Sequence, residues 1–370
     1  MELQLGNSIE RKYIEEIGSM LYRTDKEVAK RPRNKRVLPI RFDLSEKSQH
    51  KLLAQYNTIY RKEILQDISI SDLHQSNTFL IDEVKSSIKT IAEFEDAHLF
   101  SSEWQAFAHL GEYFRKISHK NSILVLGFQE FPLPSNFLFV KKISEINELL
   151  KHPHRIAAVV IDPLFFIIRS NAYMRKINTL RKQCSGCGIP FILDERKTAA
   201  RIHLKGLNFI FQFKADAIII GGNYTNGIPF AALACTRSTL GNSALSGADA
   251  PSSLALRAFL KISEHLVHEG NPYSTANNEK ANKFCELVNH YCANRKGKIR
   301  LQNFGSIMWL SKHTQRNLPR RFIDKGILSP NSLIMYLPLT LNSKDFSDLA
   351  YLFSLAIKKP SRRKLGRLAN

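Results

Sequence analysis

The sequence has 370 residues, with 54 Lys and Arg against 33 Asp and Glu, giving a formal net charge of +21. Its 44% hydrophobic content, with only 17 Gly and 14 Pro, suits a packed chain and excludes an overall disordered or collagen-like one. That length predicts one large domain plus a smaller one, and so large a cationic excess calls for an anionic partner.

In chain order, residues 8–30 and 45–66 read as amphipathic helices, with Ile9, Tyr13, Ile17 and Leu21, then Leu52, Tyr56, Ile59 and Ile64, at roughly helical spacing. Between Arg23 and Arg36 lies a basic run, Arg23, Lys26, Lys30, Arg31, Arg33, Lys35 and Arg36, against Asp25 and Glu27 only. A Ser/Asp/Asn-rich stretch from Ser69 to Asn77 is expected to break the pattern. From Thr78 the character changes, and helical segments alternate with short apolar runs at 122–126, 157–161, 190–193 and 217–220. Each run has the length and β-branched content of a strand buried on both faces, so the alternation predicts βαβ units around a mostly parallel sheet. A long helix is expected from Ser252 to His268, after Pro251. The remainder mixes helices with short strands near 306–310 and 332–337, which reads as a smaller α+β unit. The expected division is a basic helical segment 1–77, an α/β domain 78–269, an α+β domain 270–358 and a basic tail 359–370. That tail, with Lys358 just before it, holds Lys359, Arg362, Arg363, Lys364 and Arg367 and no acid.

Both basic runs contain a proline, Pro32 and Pro360, so neither is expected to continue as one unbroken helix. They read either as solvated tails or as arms for an acidic protein, an acyl carrier or another anionic partner. Nucleic acid is the weaker version, because Tyr22 is the only aromatic beside the first run and stacking needs several. The longest apolar stretch, 156–168, is broken by Asp162 and Pro163 and falls short of the roughly 20 residues of a membrane span. The opening MELQLGNSIERKYIEE lacks the apolar core of a secretory signal, and five cysteines without framework spacing point to a reducing, cytoplasmic setting.

Ligands of open α/β folds bind at the carboxyl edge of the sheet. Two such edges carry chemistry: the strand ending in Asp194-Glu195-Arg196-Lys197-Thr198, and the strand running into Gly221-Gly222-Asn223. Here the sequence resembles the class III aminotransferases of the fold-type I pyridoxal-phosphate (PLP) enzymes, glutamate-1-semialdehyde aminomutase among them. Phe100-Ser101-Ser102-Glu103-Trp104-Gln105-Ala106 is similar to the family's Ser-Gly-Thr-Glu-Ala phosphate loop. The run 155–163 is similar to its Ala-Ala-Val-Ile-Val-Glu-Pro strand, and 180–195 to the helix, turn and strand that deliver Asp-Glu-Val. Asn226-Gly227-Ile228-Pro229 resembles its Asn-Gly-Tyr-Pro, and Lys325-Gly326-Ile327-Leu328 its C-terminal Lys-Gly-Val-Tyr turn. The order is colinear over most of residues 78–358. The fold implied is a fold-type I PLP transferase with a small C-terminal domain, assembled as a dimer.

A PLP transaminase needs a lysine to hold the cofactor and shuttle a proton. The family pattern puts it five residues before Gly227, which is Gly222 here, and no lysine occurs from Ala215 to Arg257. The resemblance further implies that Asp194 faces the cofactor's pyridinium nitrogen. Arg196 stands where the family has a small apolar residue against the ring. Ser101 and Ser102 replace the Gly-Thr of the phosphate loop, Ala244 replaces a phosphate-binding Thr, and the ring-stacking Tyr-His-Gly segment after Val125 is missing. The cofactor-site candidates are thus Ser101, Ser102, Asp194, Arg196, Gly222 and Asn223, with no catalytic residue and no metal ligand. Gly221-Gly222-Asn223 could also cradle a phosphate with backbone N–H groups. Cys184 and Cys187 have redox or metal half-site spacing, but no second pair completes a zinc site, so they read as incidental thiols. Three readings follow. The first is a non-catalytic module, with no cofactor, that forms a homodimer or pairs with an active homologue. The second is an enzyme of lysine-independent chemistry that binds PLP or pyridoxamine phosphate non-covalently. The third is a nucleic-acid-binding protein.

Overall fold

A computed structural model of the chain describes residues 42–43, 70–117, 120, 122–127, 133–168, 172–225, 228–239, 250–268, 272–293, 300–310, 321–322, 325, 327–328, 334–337 and 343–357. The expected helices 8–30 and 45–66, both basic runs and Ala244 lie outside these residues. In chain order come β1 (Phe42–Asp43), α1 (Ile70–Ala92), β2 (Asp96–Phe100), α2 (Glu103–Ile117), β3 (Ser122–Leu126) and β4 (Phe137–Phe139). Then follow α3 (Ile143–Leu149), β5 (Ile156–Ile161), α4 (Pro163–Ile167), α5 (Ala172–Gly186), β6 (Phe191–Asp194), α6 (Gly206–Phe211), β7 (Ala217–Ile220) and β8 (Ala231–Cys235). The chain closes with α7 (Ser253–His268), α8 (Pro272–Ala293), β9 (Leu301–Phe304), β10 (Ile307–Leu310), β11 (Ile327–Leu328), β12 (Ile334–Tyr336) and α9 (Ser343–Ile357).

The four apolar runs expected as buried strands are β3, β5, β6 and β7, and they form the centre of a seven-stranded sheet ordered β2-β8-β7-β6-β5-β3-β4. From β7 to β4 every neighbouring pair is parallel, while β8 runs antiparallel to both β7 and β2. Alternate side chains divide between two cores, as the strand period of two requires. Leu124, Val159, Leu193 and Ile220 face a layer with Val84 and Ile88 of α1, Ile177 and Leu180 of α5, and Phe259 of α7. Ile123, Val160, Ile192 and Ile219 face the other layer, covered by Phe107, Leu110 and Phe114 of α2. Helices on both faces explain why β5 and β7, and β6 up to its terminal Asp194, are apolar rather than alternating.

The last part of the chain forms a three-stranded antiparallel sheet, β12-β10-β9, with α8 and α9. Its strands again split by parity: Ile307, Trp309, Ile334 and Tyr336 join the large core. Met308, Leu310 and Met335 pack with Phe284, Val288 and Phe353 of the two helices. One expectation is overturned. The run Ser69–Asn77 does not break the chain, because α1 begins at Ile70 and passes through it. Ser, Asp and Asn favour turns and helix starts locally, but a helix whose later turns bury Leu80, Val84 and Ile88 carries its first turns with it.

Candidate functional site

Since β2 is antiparallel to β8 and β8 to β7, β2 runs in the direction of the parallel strands. The carboxyl ends of β2, β3, β5, β6 and β7 therefore lie on one edge, and they deliver Ser101–Glu103, Gly127, Asp162, Asp194–Lys197 and Gly221–Asn223 to it. Such an edge is where open α/β folds bind ligands.

Asp194 ends β6, where Glu195 N makes the last ladder bond to Ile219 O (2.8 Å) before the chain turns at Arg196. Asp194 and Arg196 share one side and Glu195 takes the other. Arg196 forks over the carboxylate, with Nε on Asp194 Oδ1 at 2.7 Å and Nη2 on Oδ2 at 2.8 Å. Its third nitrogen, Nη1, reaches Glu103 Oε2 at 2.5 Å, at the start of α2. The guanidinium carbon stands 4.9 Å from the centre of the Phe107 ring, a cation–π contact. The pair is nearly sealed, with Asp194 at 7% and Arg196 at 4% exposure. Burial by itself would raise the Asp194 carboxyl, but the charge and hydrogen bonds of Arg196, helped by the Lys197 charge, hold it below the ordinary range.

A second buried ion pair lies alongside. Lys197 Nζ meets Asp162 Oδ2 at 3.2 Å, both side chains almost without exposure. Asp162 Oδ1 also accepts from Leu164 N (2.9 Å), capping α4. Burial, only partly offset by Lys197, raises the Asp162 carboxyl above its usual value. A Cβ at Gly127 would stand 2.7 Å from Asp162 Cβ, so the end of β3 approaches this pair closely. Glu195, facing away, is fully buried; it accepts from Asn208 N at 2.6 Å and from the Thr198 hydroxyl. Burial outweighs those bonds and pushes its carboxyl up to about 7.

The structure brings all six expected site residues to this edge and gives each a partner or place within the protein. Ser102 Oγ accepts from Gln105 N (3.2 Å) as the N-cap of α2, and Ser101 Oγ bonds the Gln105 side chain. Gly222 opens a 3₁₀ turn, Gly222–Thr225, whose Thr225 hydroxyl donates back to Gly222 O (3.1 Å). Asn223 Nδ2 donates to the carbonyls of Arg196 (2.5 Å) and Ala199 (3.1 Å), tying the loop after β6 to the turn after β7. Sequence reasoning missed Glu103, Asp162 and Lys197. A usable signal was present, because Arg-Lys directly after Asp-Glu at the end of a buried strand brings in two cations that need buried carboxylates, and Asp194 alone cannot neutralise both.

These residues do not fit a lysine-held PLP. Gly222 has no amine, both Asp194 oxygens are engaged by Arg196, and the guanidinium fills the space beside them. A Cβ at Gly221 would collide with Glu103 Oε1 and stand 3.2 Å from Arg196 Cβ, so the cluster is packed against the end of β7 as well. Elsewhere, Cys184 is buried with its thiol pushed up to about 12, chiefly by burial. Among the described residues no group of three or more His, Cys, Asp or Glu could hold a metal ion, and no helix is long and apolar enough to cross a membrane.

No family model matches the sequence, and no curated protein matches it. Solved structures do. A variant glutamate-1-semialdehyde aminomutase from Pseudomonas aeruginosa, in complex with PMP, is similar with a TM-score of 0.67 and 13% identity, over 85% of this chain and 83% of that one. An omega-transaminase from Sphaerobacter thermophilus follows at TM-score 0.64 and 13% identity, over 81% and 82%. The ornithine delta-aminotransferase of Plasmodium falciparum reaches TM-score 0.61 and 13% identity, over 91% and 97%. The chain has the fold of these class III aminotransferases, the fold-type I PLP-transferase architecture.

Proposed function

We propose that this chain is an aminotransferase-fold protein that does not transaminate and serves as a binding or scaffolding module. The observation that carries this reading is the Arg196 fork on Asp194, set beside a glycine at position 222. A transaminase needs an amine to hold the cofactor and move its proton, together with a carboxylate open to the pyridinium. Here position 222 carries no amine, the Lys197 amine is paired with Asp162, and the Asp194 carboxylate is engaged by the protein's own cation. What remains is a rigid α/β body, which works as a homodimer or beside an active homologue. Its basic runs, Arg23–Arg36 and Lys358–Arg367, are its means of docking an acidic protein or acyl carrier. Five free cysteines are in keeping with a reducing, cytoplasmic setting.

The test is reduction with borohydride after incubation with PLP, followed by peptide mapping. The expected result is no aldimine absorbance and no stoichiometric adduct on any single lysine. One lysine labelled to completion, with aldimine absorbance, overturns the reading. Saturable binding of pyridoxamine phosphate to the unmodified protein favours an enzyme of lysine-independent chemistry. Binding to mixed RNA or DNA with a steep salt dependence, and none to an acidic carrier, favours a nucleic-acid protein.

A further inference from the structure

Arg196 is held from four directions. Asp194 takes Nε and Nη2, Glu103 takes Nη1, the Phe107 ring stands beside the guanidinium carbon, and the backbone of Gly221 closes on Cβ and Cγ. Its own carbonyl is pinned by Asn223. A surface arginine loses such a geometry to solvent, whereas this one is 4% exposed and bridges the ends of three strands through its partners. A buried carboxylate needs a cation. In a PLP enzyme an Asp opposite the pyridine nitrogen has the cofactor itself for that purpose.

We propose that the Arg196 guanidinium is the built-in replacement for a cofactor cation, so that Asp194 is neutralised by the chain alone and the edge cleft folds as a finished ion network. This rests on the non-transaminating reading and adds to it a specific occupant of the ring's place. Two consequences follow. The intact protein has no use for a pyridinium or guanidinium ligand. Truncating Arg196 leaves a cavity lined by Asp194, Glu103 and Phe107, which a small planar cation fills.

The experiment compares the unmodified protein, Arg196→Ala, and Arg196→Ala combined with Asp194→Asn, by thermal unfolding and by calorimetric titration with N-methylguanidinium and with pyridoxamine phosphate. Arg196→Ala is expected to melt roughly 5–10 °C lower. Millimolar N-methylguanidinium, but not sodium at equal ionic strength, is expected to restore part of that loss. Saturable binding of at least one of the two ligands, the guanidinium ion or the pyridinium-bearing pyridoxamine phosphate, should appear in Arg196→Ala and fall at least tenfold in the double variant. The unmodified protein should bind neither. If Arg196→Ala does not fold, refolding with and without N-methylguanidinium becomes the readout, and recovery only in its presence supports the proposal. The proposal is overturned if folded Arg196→Ala binds neither ligand, if refolding fails in both conditions, or if the unmodified protein binds pyridoxamine phosphate as tightly as the variant. A lysine adduct on the unmodified protein would overturn the functional reading through a separate measurement.

Discussion

Arg196 and Asp194 are two residues apart in the chain and form a two-pronged ion pair, 2.7 and 2.8 Å, at the carboxyl end of the central strand β6. The pairing is local in sequence, yet it is stable only because the strand buries both residues and Glu103 closes the third side. That closure makes the behaviour of the neighbouring residues calculable.

Gly221→Ala tests the closure. Its new Cβ would collide with Glu103 Oε1 and crowd Arg196 Cβ and Cγ at 3.2 and 3.3 Å. The Glu103 side chain is partly exposed and can swing out, so the expected cost is about 1–2 kcal/mol. In a Glu103→Ala background the collision is gone and the same substitution should cost less than half as much. Denaturant unfolding of the four proteins in this cycle decides it; equal costs in both backgrounds would mean that Glu103 does not fill that space.

Glu195 sets a pH dependence. Its carboxyl ordinarily titrates near 4.5 and is raised to about 7 in the folded chain, because it is fully buried. Between those values the folded state holds a proton that the unfolded state has released. Stability from this group is therefore full below about 4.5 and falls as pH rises to about 7, by about 3 kcal/mol in all. Glu195→Gln, which keeps the size and an acceptor oxygen, should flatten that slope while leaving stability near pH 5 within about 1 kcal/mol. Unfolding curves from pH 4.5 to 8 would show it, and an unchanged slope in the variant would sink the assignment.

Lys197 has the opposite sensitivity. Lys197→Met leaves Asp162 buried without that cation and should cost about 3 kcal/mol near neutral pH. Because burial already raises the Asp162 carboxyl, protonation in acid removes the unpaired charge, so the penalty should shrink as pH falls. Adding Asp162→Asn, which keeps the oxygen that caps α4, should recover most of the loss. A penalty that is independent of pH, or that the double variant does not relieve, would show that Lys197 acts through packing of its stem instead.

Much of the fold was legible from periodicity. The buried runs at 122–126, 157–161, 190–193 and 217–220 became β3, β5, β6 and β7, because a strand covered on both faces writes itself as an unbroken apolar segment. The strands flanking these four were less legible. β8 reads Ala-Ala-Leu-Ala-Cys, a composition neutral or unfavourable to strands, and it is a strand because β7 and β2 pair with it on both sides. β4 is only three residues long. The start of α1 was misread for the complementary reason, since local turn preference lost to burial further along the helix.

In the site, Asp194 was legible as a strand-ending carboxylate, and Arg196 as a bulky cation in a place where the resembling family has a small apolar side chain. What the sequence by itself determined is an inventory: no lysine occurs from residue 215 to residue 257, the stretch in which the resembling family carries its cofactor lysine. What only the tertiary structure decided is who neutralises whom. Arg196 meets Glu103 across 93 residues, and Lys197 meets Asp162 across 35. Those pairings depend on which strands lie side by side, whereas periodicity reports only which face of each strand is buried. The net charge of +21 is fixed by composition, but these two cations sit inside the protein against its own carboxylates, and burial decides that they are not available to a partner.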